Sequence, residues 1–183
     1  IQKQLLPVLL QWFSEGSDPD SALLSFRRLS EDLGESHWYL RMLRDSTYAA
    51  QRMTQVLSNS RLATSLFERI PEAAAWFEKP EDLIPLPTSE ITSEFEAVIG
   101  RHDSSEKAIN GVRSIRRRET LRIALGAVLG DIDITQVSNS LSGLFEAYLR
   151  AVLSIAVEFK DLDLAPGSVS EHVDLGIIAM GRF

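Results

Sequence analysis

Residues 104–159 read SSEKAINGVRSIRRRETLRIALGAVLGDIDITQVSNSLSGLFEAYLRAVLSIAVEF, and this stretch decides the fold class. Ser104 and Ser105 offer hydroxyl N-caps ahead of a periodic run, and no proline interrupts the chain until Pro166. The run predicts a first helix with Ile109, Val112, Ile123 and Ala127 on one stripe, ending near Gly130. Asp133 is then placed to cap a second helix. Its apolar residues Ile134, Val137, Leu141, Leu144, Tyr148, Val152, Ile155 and Phe159 recur at intervals of three and four. A helix of about 25 residues spans roughly 37 Å, so two of them joined by a short corner can set the length of a helical domain.

The segments before this pair are shorter but also helical in pattern. Leu5–Phe13 is amphipathic, with Pro7 expected in its first turn. Asp18 followed by Pro19 starts a helix presenting Leu23, Phe26, Leu29 and Leu33, which stops at Gly34. Ser36 can cap a helix with Trp38, Leu40 and Leu43, and a further run extends from about Ser46 to Leu57. Ser60 opens a helix with Leu62, Leu66 and Phe67, and Pro71 a short one with Ala74, Trp76 and Phe77. Residues 80–87 hold three prolines. They read as a structured crossing, because Leu83, Ile84 and Leu86 call for burial. Thr88 or Ser89 caps the helix of Phe95, Val98 and Ile99.

After the long pair, Lys160 to Gly167 is a loop. Leu175-Gly-Ile-Ile-Ala-Met-Gly181 is an apolar run that reads as a buried strand. A single strand cannot pair its own backbone groups, so it is expected to open a second, sheet-containing domain. The expected architecture is all-α, a multi-helix bundle with two long consecutive helices and one orphan C-terminal strand. Residues 1–165 form the helical domain (shorter helices over 1–79, the crossing at 80–87, long helices over 88–160). Residues 166–183 form the loop and first strand of a truncated domain.

Composition limits the function classes. The 183 residues include 26 acidic and 19 basic side chains, a net charge of −7, whereas a nucleic-acid surface needs a basic excess. With no cysteine there is no thiolate ligand or thiol nucleophile, which suits a reducing cytoplasm. No apolar run reaches membrane-spanning length, so no membrane partner is expected. His37, His102 and His172 are the only histidines, and no two sit at metal-ligand spacing. Asp131 and Asp133 could suggest paired carboxylates, but Asp133 has a capping role beside a tight corner. No catalytic residue and no metal ligand is therefore assigned to this chain. The remaining cluster is Arg113, Arg116, Arg117, Arg118 and Arg122. Arg118 and Arg122 fit a solvated face. Arg116 and Glu119 fall on the apolar stripe, where polar groups need partners or a cleft. The cluster Arg116, Glu119, Arg113 and Arg117 is thus expected to be a structural or interdomain polar site, with Arg116 and Glu119 able to pair at a spacing of three.

Gly176-Ile-Ile-Ala-Met-Gly-Arg-Phe183 resembles the start of the C-terminal nucleotidyltransferase domain of the glutamine synthetase adenylyltransferase family. Arg117-Arg-Glu-Thr-Leu-Arg-Ile-Ala124 and Leu129-Gly-Asp-Ile-Asp133 resemble the helical segment preceding that domain. So do Leu57-Ser-Asn-Ser-Arg-Leu-Ala63 and Ile70-Pro-Glu72, while Arg27-Arg-Leu-Ser30 and His37-Trp-Tyr-Leu-Arg41 resemble actinobacterial members. The resemblance covers essentially the whole chain. It implies a parent enzyme that transfers AMP from ATP, with magnesium, to a tyrosine of glutamine synthetase, under control of a PII-type signal protein. It also implies that the catalytic aspartates lie beyond Phe183, so this stretch would be a non-catalytic helical region that itself needs no cofactor. Gly181 and Arg182 would approach the nucleotide only in the complete domain. The alternative reading is a free-standing helical module that binds a partner helix in a groove.

Overall fold

The computed structural model describes residues 2–159, and every described element is helical: eight α-helices and two 3-10 helices. They are α1 (Gln2–Ser14), α2 (Pro19–Leu33), α3 (His37–Asp45), α4 (Thr47–Asn59), α5 (Arg61–Phe67), α6 (Thr88–Ile99), α7 (Ser105–Leu129) and α8 (Ile134–Glu158), with 3-10 turns at Pro71–Glu78 and Pro80–Leu83. The expected strand at 175–181 lies outside the described residues.

The chain divides into two compact units. One comprises Ile1–Pro85 and Thr120–Val137, the other Leu86–Glu119 and Ser138–Phe183. Helix α7 is uninterrupted, and its residues belong to the second unit up to Glu119 and to the first from Thr120.

In the first unit most of the helix-start signals operate as expected, but Ser36 makes no side-chain cap bond to α3. Asp18 accepts from the Ser21 N–H at 3.3 Å with Pro19 in the first turn, Ser46 accepts from Ala49 at 3.1 Å, and Ser60 from Ala63 at 3.2 Å. Helix α4 is the hub, touching α1, α2, α3, α5 and the Pro71–Glu78 turn. Its Ala49, Ala50, Met53, Thr54, Val56 and Leu57 are all buried, and its small residues let neighbouring helices approach closely. Phe13, Leu29, Tyr39, Met42, Phe67, Phe77, Leu83, Leu121 and Leu125 close the same core. Each such large side chain contributes about 1.5–3 kcal/mol by leaving water. The Tyr39 hydroxyl meets Ser30 Oγ at 3.1 Å, and burial pushes its phenol up to about 12, so it stays neutral at physiological pH.

Several expectations need correction. Helix α1 starts earlier than the amphipathic pattern suggested, so Pro7 lies inside it. Leu23 and Ile84, expected in the core, are exposed, whereas Leu83 between the prolines is fully buried. Helix α6 begins at Thr88 after Pro87, with no side-chain cap from Thr88 or Ser89. The three tryptophans are only partly buried, packed against the edge of the core.

The corner between α7 and α8 follows its sequence closely. Gly130 has φ +76, a left-handed conformation that glycine adopts without Cβ strain. Asp131 N–H and Ile132 N–H both donate to the Gly126 carbonyl. Asp133 then caps α8, accepting from the Gln136 N–H at 2.8 Å while its own N–H donates to Gln136 Oε1 at 2.8 Å.

In the second unit, α6 buries Ile91, Phe95 and Ile99, one turn apart in succession. Helix α7 buries Ala108, Val112 and Ile115 there. Helix α8 buries Leu144, Ala147, Ala151 and Ile155, whereas Ile134, expected on its apolar stripe, is 81% exposed. Among the described residues α8 alone is long and apolar enough to cross a membrane by length and composition. This corrects the expectation that no apolar run reaches that length. Part of its apolar surface is nonetheless taken up by packing within the unit.

Candidate functional site

The polar cluster on α7 separates into an inward and an outward half. Glu119 is 1% exposed, a carboxylate on the buried side of the helix. An ionised group there needs charge-assisted hydrogen bonds. Arg118 supplies one through Nε, at 2.7 Å from Glu119 Oε1. The two terminal nitrogens of the same guanidinium reach the Glu94 carboxylate, one of them at 2.8 Å. Glu94 is presented by α6, on the flank of its buried Ile91–Phe95–Ile99 face. Arg118 therefore bridges two carboxylates on two helices of one unit. Its pKa is raised further above the usual guanidinium range, mainly by the hydrogen bonds to Glu94 and secondarily by those to Glu119.

Arg116 lies over the Tyr148 ring of α8, 4.7 Å from the centroid, and Phe95 meets the same ring edge-on at 6.4 Å. A guanidinium stacked on an aromatic face is attracted by the ring quadrupole and held in one orientation. Arg113 and Arg117 are exposed, one helical turn apart on either side of Arg116 in sequence. Arg118 and Arg122 were read as solvated, and neither is. Arg118 is engaged as described. Arg122 stacks on Trp76 at 4.4 Å and donates to the Asp82 carbonyl within the first unit.

A second buried ionic site, with no signal in the sequence pattern, clamps the α7–α8 corner. Arg52 of α4 is 8% exposed and grips Asp131 with two nitrogens, while its Nη1 also donates to Tyr48 Oη at 2.6 Å. The partners are 79 positions apart, so no local spacing could have joined them. Asp131 is thus committed to Arg52, and Asp133 to its helix cap.

Of the histidines, His37 is exposed and His102 half-buried beside Gly111, while His172 lies outside the described residues. Gly181 and Arg182 also lie outside them. Among the described residues no group of three or more His, Asp or Glu side chains is placed to hold a metal. These residues therefore do not fit a magnesium site. What the described site does chemically is pair charges and orient guanidinium groups.

The first unit also carries an open apolar groove of about 630 Å³ beside α1 and α2. It is lined by Leu6, Leu9, Leu23, Leu24, Phe26 and Leu43, with Arg27 and Glu31 paired at its edge.

A family described as glutamate-ammonia ligase adenylyltransferase has a sequence model that matches residues 50–183. A bifunctional glutamine synthetase adenylyltransferase/adenylyl-removing enzyme of Leifsonia xyli is 49% identical over 183 residues, covering all of this chain and 18% of the relative. Proteins of the same name from Cutibacterium acnes and Streptomyces coelicolor are 39% and 37% identical, again over the whole chain and 18% and 19% of their own length. The chain therefore spans under a fifth of the curated relatives it matches. No solved structure matches it.

Proposed function

The chain belongs to the glutamate-ammonia ligase adenylyltransferase family, and on that premise we propose that it forms a helical support of a parent enzyme that transfers AMP from ATP to a tyrosine of glutamine synthetase. The observation that carries this reading is the alignment of the whole chain, without remainder, to one stretch of relatives bearing that activity in their name. The described residues add a consistent point. Glu94, Glu119 and Asp131 are paired with arginines and Asp133 caps a helix. A two-metal nucleotidyl transfer needs converging carboxylates to hold magnesium and orient the attack.

In this reading the helices position a nucleotidyltransferase domain, and the catalytic aspartates belong to that domain. ATP and magnesium are cofactors of the parent, and the setting is cytoplasmic. Glutamine synthetase is the substrate protein, and a PII-type signal protein is the regulator. Gly181 and Arg182 lie near the nucleotide in the complete domain. The inward half of the α7 cluster, Glu119 with Arg118, holds α6 and α7 together; the outward half, Arg113, Arg116 and Arg117, meets a partner.

The test is AMP incorporation. The chain alone, incubated with ATP, magnesium and glutamine synthetase, should leave the target tyrosine unmodified, while the full parent protein should modify it. Incorporation by the chain alone would overturn the assignment of a supporting role. Failure of the parent protein to modify glutamine synthetase would overturn the assignment of the activity.

A further inference from the structure

We infer that the face of α7 carrying Arg113, Arg116 and Arg117 is a docking surface for an acidic polypeptide segment. The inference stands independently of the adenylyl-transfer activity proposed above.

Three observations carry it. Arg113 and Arg117 are exposed, and neither has a carboxylate partner among the described residues. Arg118 and Arg122, on the same helix, are both engaged within the fold. Among the described residues, two guanidinium groups on one turn of an acidic chain are therefore left without a carboxylate partner. Like charges four apart destabilise a helix by about 0.2–0.5 kcal/mol, so the arrangement works against helix stability.

Helix capping does not account for the arrangement. Arg113 to Arg117 occupy the middle of a helix that runs from Ser105 to Leu129, far from the C-terminal turn where cations complement the helix dipole. Burial does not account for it either, since all three side chains face solvent.

The third observation is pre-organisation. Stacking on Tyr148 holds Arg116 in one orientation between Arg113 and Arg117, so less rotamer entropy is lost when a ligand binds. Arg113 and Arg117 are separated by about 6 Å along the axis, the spacing of carboxylates four apart on a helix. Planar guanidinium groups bind carboxylates in a bidentate manner, and arginine is enriched in protein interfaces. The complementary partner is therefore an exposed helix or strand bearing two or three closely spaced Asp or Glu residues.

The experiment titrates the chain with an alanine-based helical peptide carrying glutamates four residues apart. The same peptide with glutamines in their place serves as the neutral control. The Glu peptide should bind, and the Gln peptide should not. Binding should weaken steeply as salt rises from about 0.05 to about 0.5 M, because exposed charges are screened within a few ångströms at the upper value. Arg113→Glu with Arg117→Glu should reduce affinity at least about tenfold, as charge reversal in an interface does, without moving the melting midpoint. Arg113→Gln with Arg117→Gln, free of any reversed charge, should weaken binding in the same direction. Arg27→Glu, which alters the paired and exposed arginine of α2, should leave binding unchanged. The inference is overturned if the Glu peptide does not bind, or if Arg27→Glu weakens it as much as the α7 variants do. It is also overturned if inorganic tripolyphosphate binds this face more tightly than the peptide, since that would make it a polyphosphate site.

Discussion

Glu119 is the residue on which the polar half of α7 turns. A carboxylate at 1% exposure loses its hydration, and Arg118 supplies a charge-assisted replacement on one side. The two ends of this bridge are not equivalent. Glu94 is one-third exposed and keeps water if Arg118 is removed, whereas Glu119 is 1% exposed and reaches little water. Arg118→Ala should therefore destabilise the chain by about 2–3 kcal/mol, the cost of leaving a buried charged group short of a partner. Glu94→Ala, which leaves the Arg118–Glu119 bond in place, should cost under about 1 kcal/mol. Urea unfolding of the two variants measures both, and equal small losses would mean that the bridge contributes nothing beyond a surface pair.

At the scale of elements, the short corner between α7 and α8 depends on backbone conformation more than on side chains. Gly130 sits at φ +76 with open space where a Cβ would go, so a substitution meets strain but no clash. Gly130→Ala should then cost about 1–2 kcal/mol, the left-handed penalty for a residue with a Cβ. Chemical denaturation should register this as a lower midpoint with an unchanged slope, because the surface exposed on unfolding stays the same. A stability loss of zero would mean that the corner relaxes to a right-handed turn. The reciprocal bonds of Asp133 and Gln136 act downstream of the glycine, so they restart the helix but do not set the turn.

At the scale of the molecule, the first unit is built around α4 rather than around the long pair. That helix is buried along most of its circumference and touches five other elements of its unit. Opening it requires the surrounding core to separate, while α8 exposes Leu153 and Val157 along its outer side. Amides of Met53 to Leu57 should therefore exchange with solvent most slowly, more slowly than those of Leu144 to Ile155. Native-state hydrogen exchange read residue by residue decides the point, and slower exchange in α8 would return the organising role to the long pair.

The amino-acid sequence by itself determined the helical character of the described residues, the starts of α2, α4, α5 and α8, and the turn at Gly130. Each of these depends on contacts within about four residues, which local residue identity controls. It also carried the family, because the quoted motifs run in order along the whole chain. On α8 it marked Leu144 and Ile155 as inward but missed Ala147 and Ala151, since a methyl group gives little periodic signal even where close helix packing demands it. Only the tertiary structure decided that Arg52 holds Asp131, that Arg118 rather than the solvent answers Glu119, and that Ile134 lies outside the core. Arg52 and Asp131 become neighbours only through the folded path of the chain, and the side of a helix that is buried depends on which neighbours pack against it. Neither property is carried by the spacing of residues along the chain.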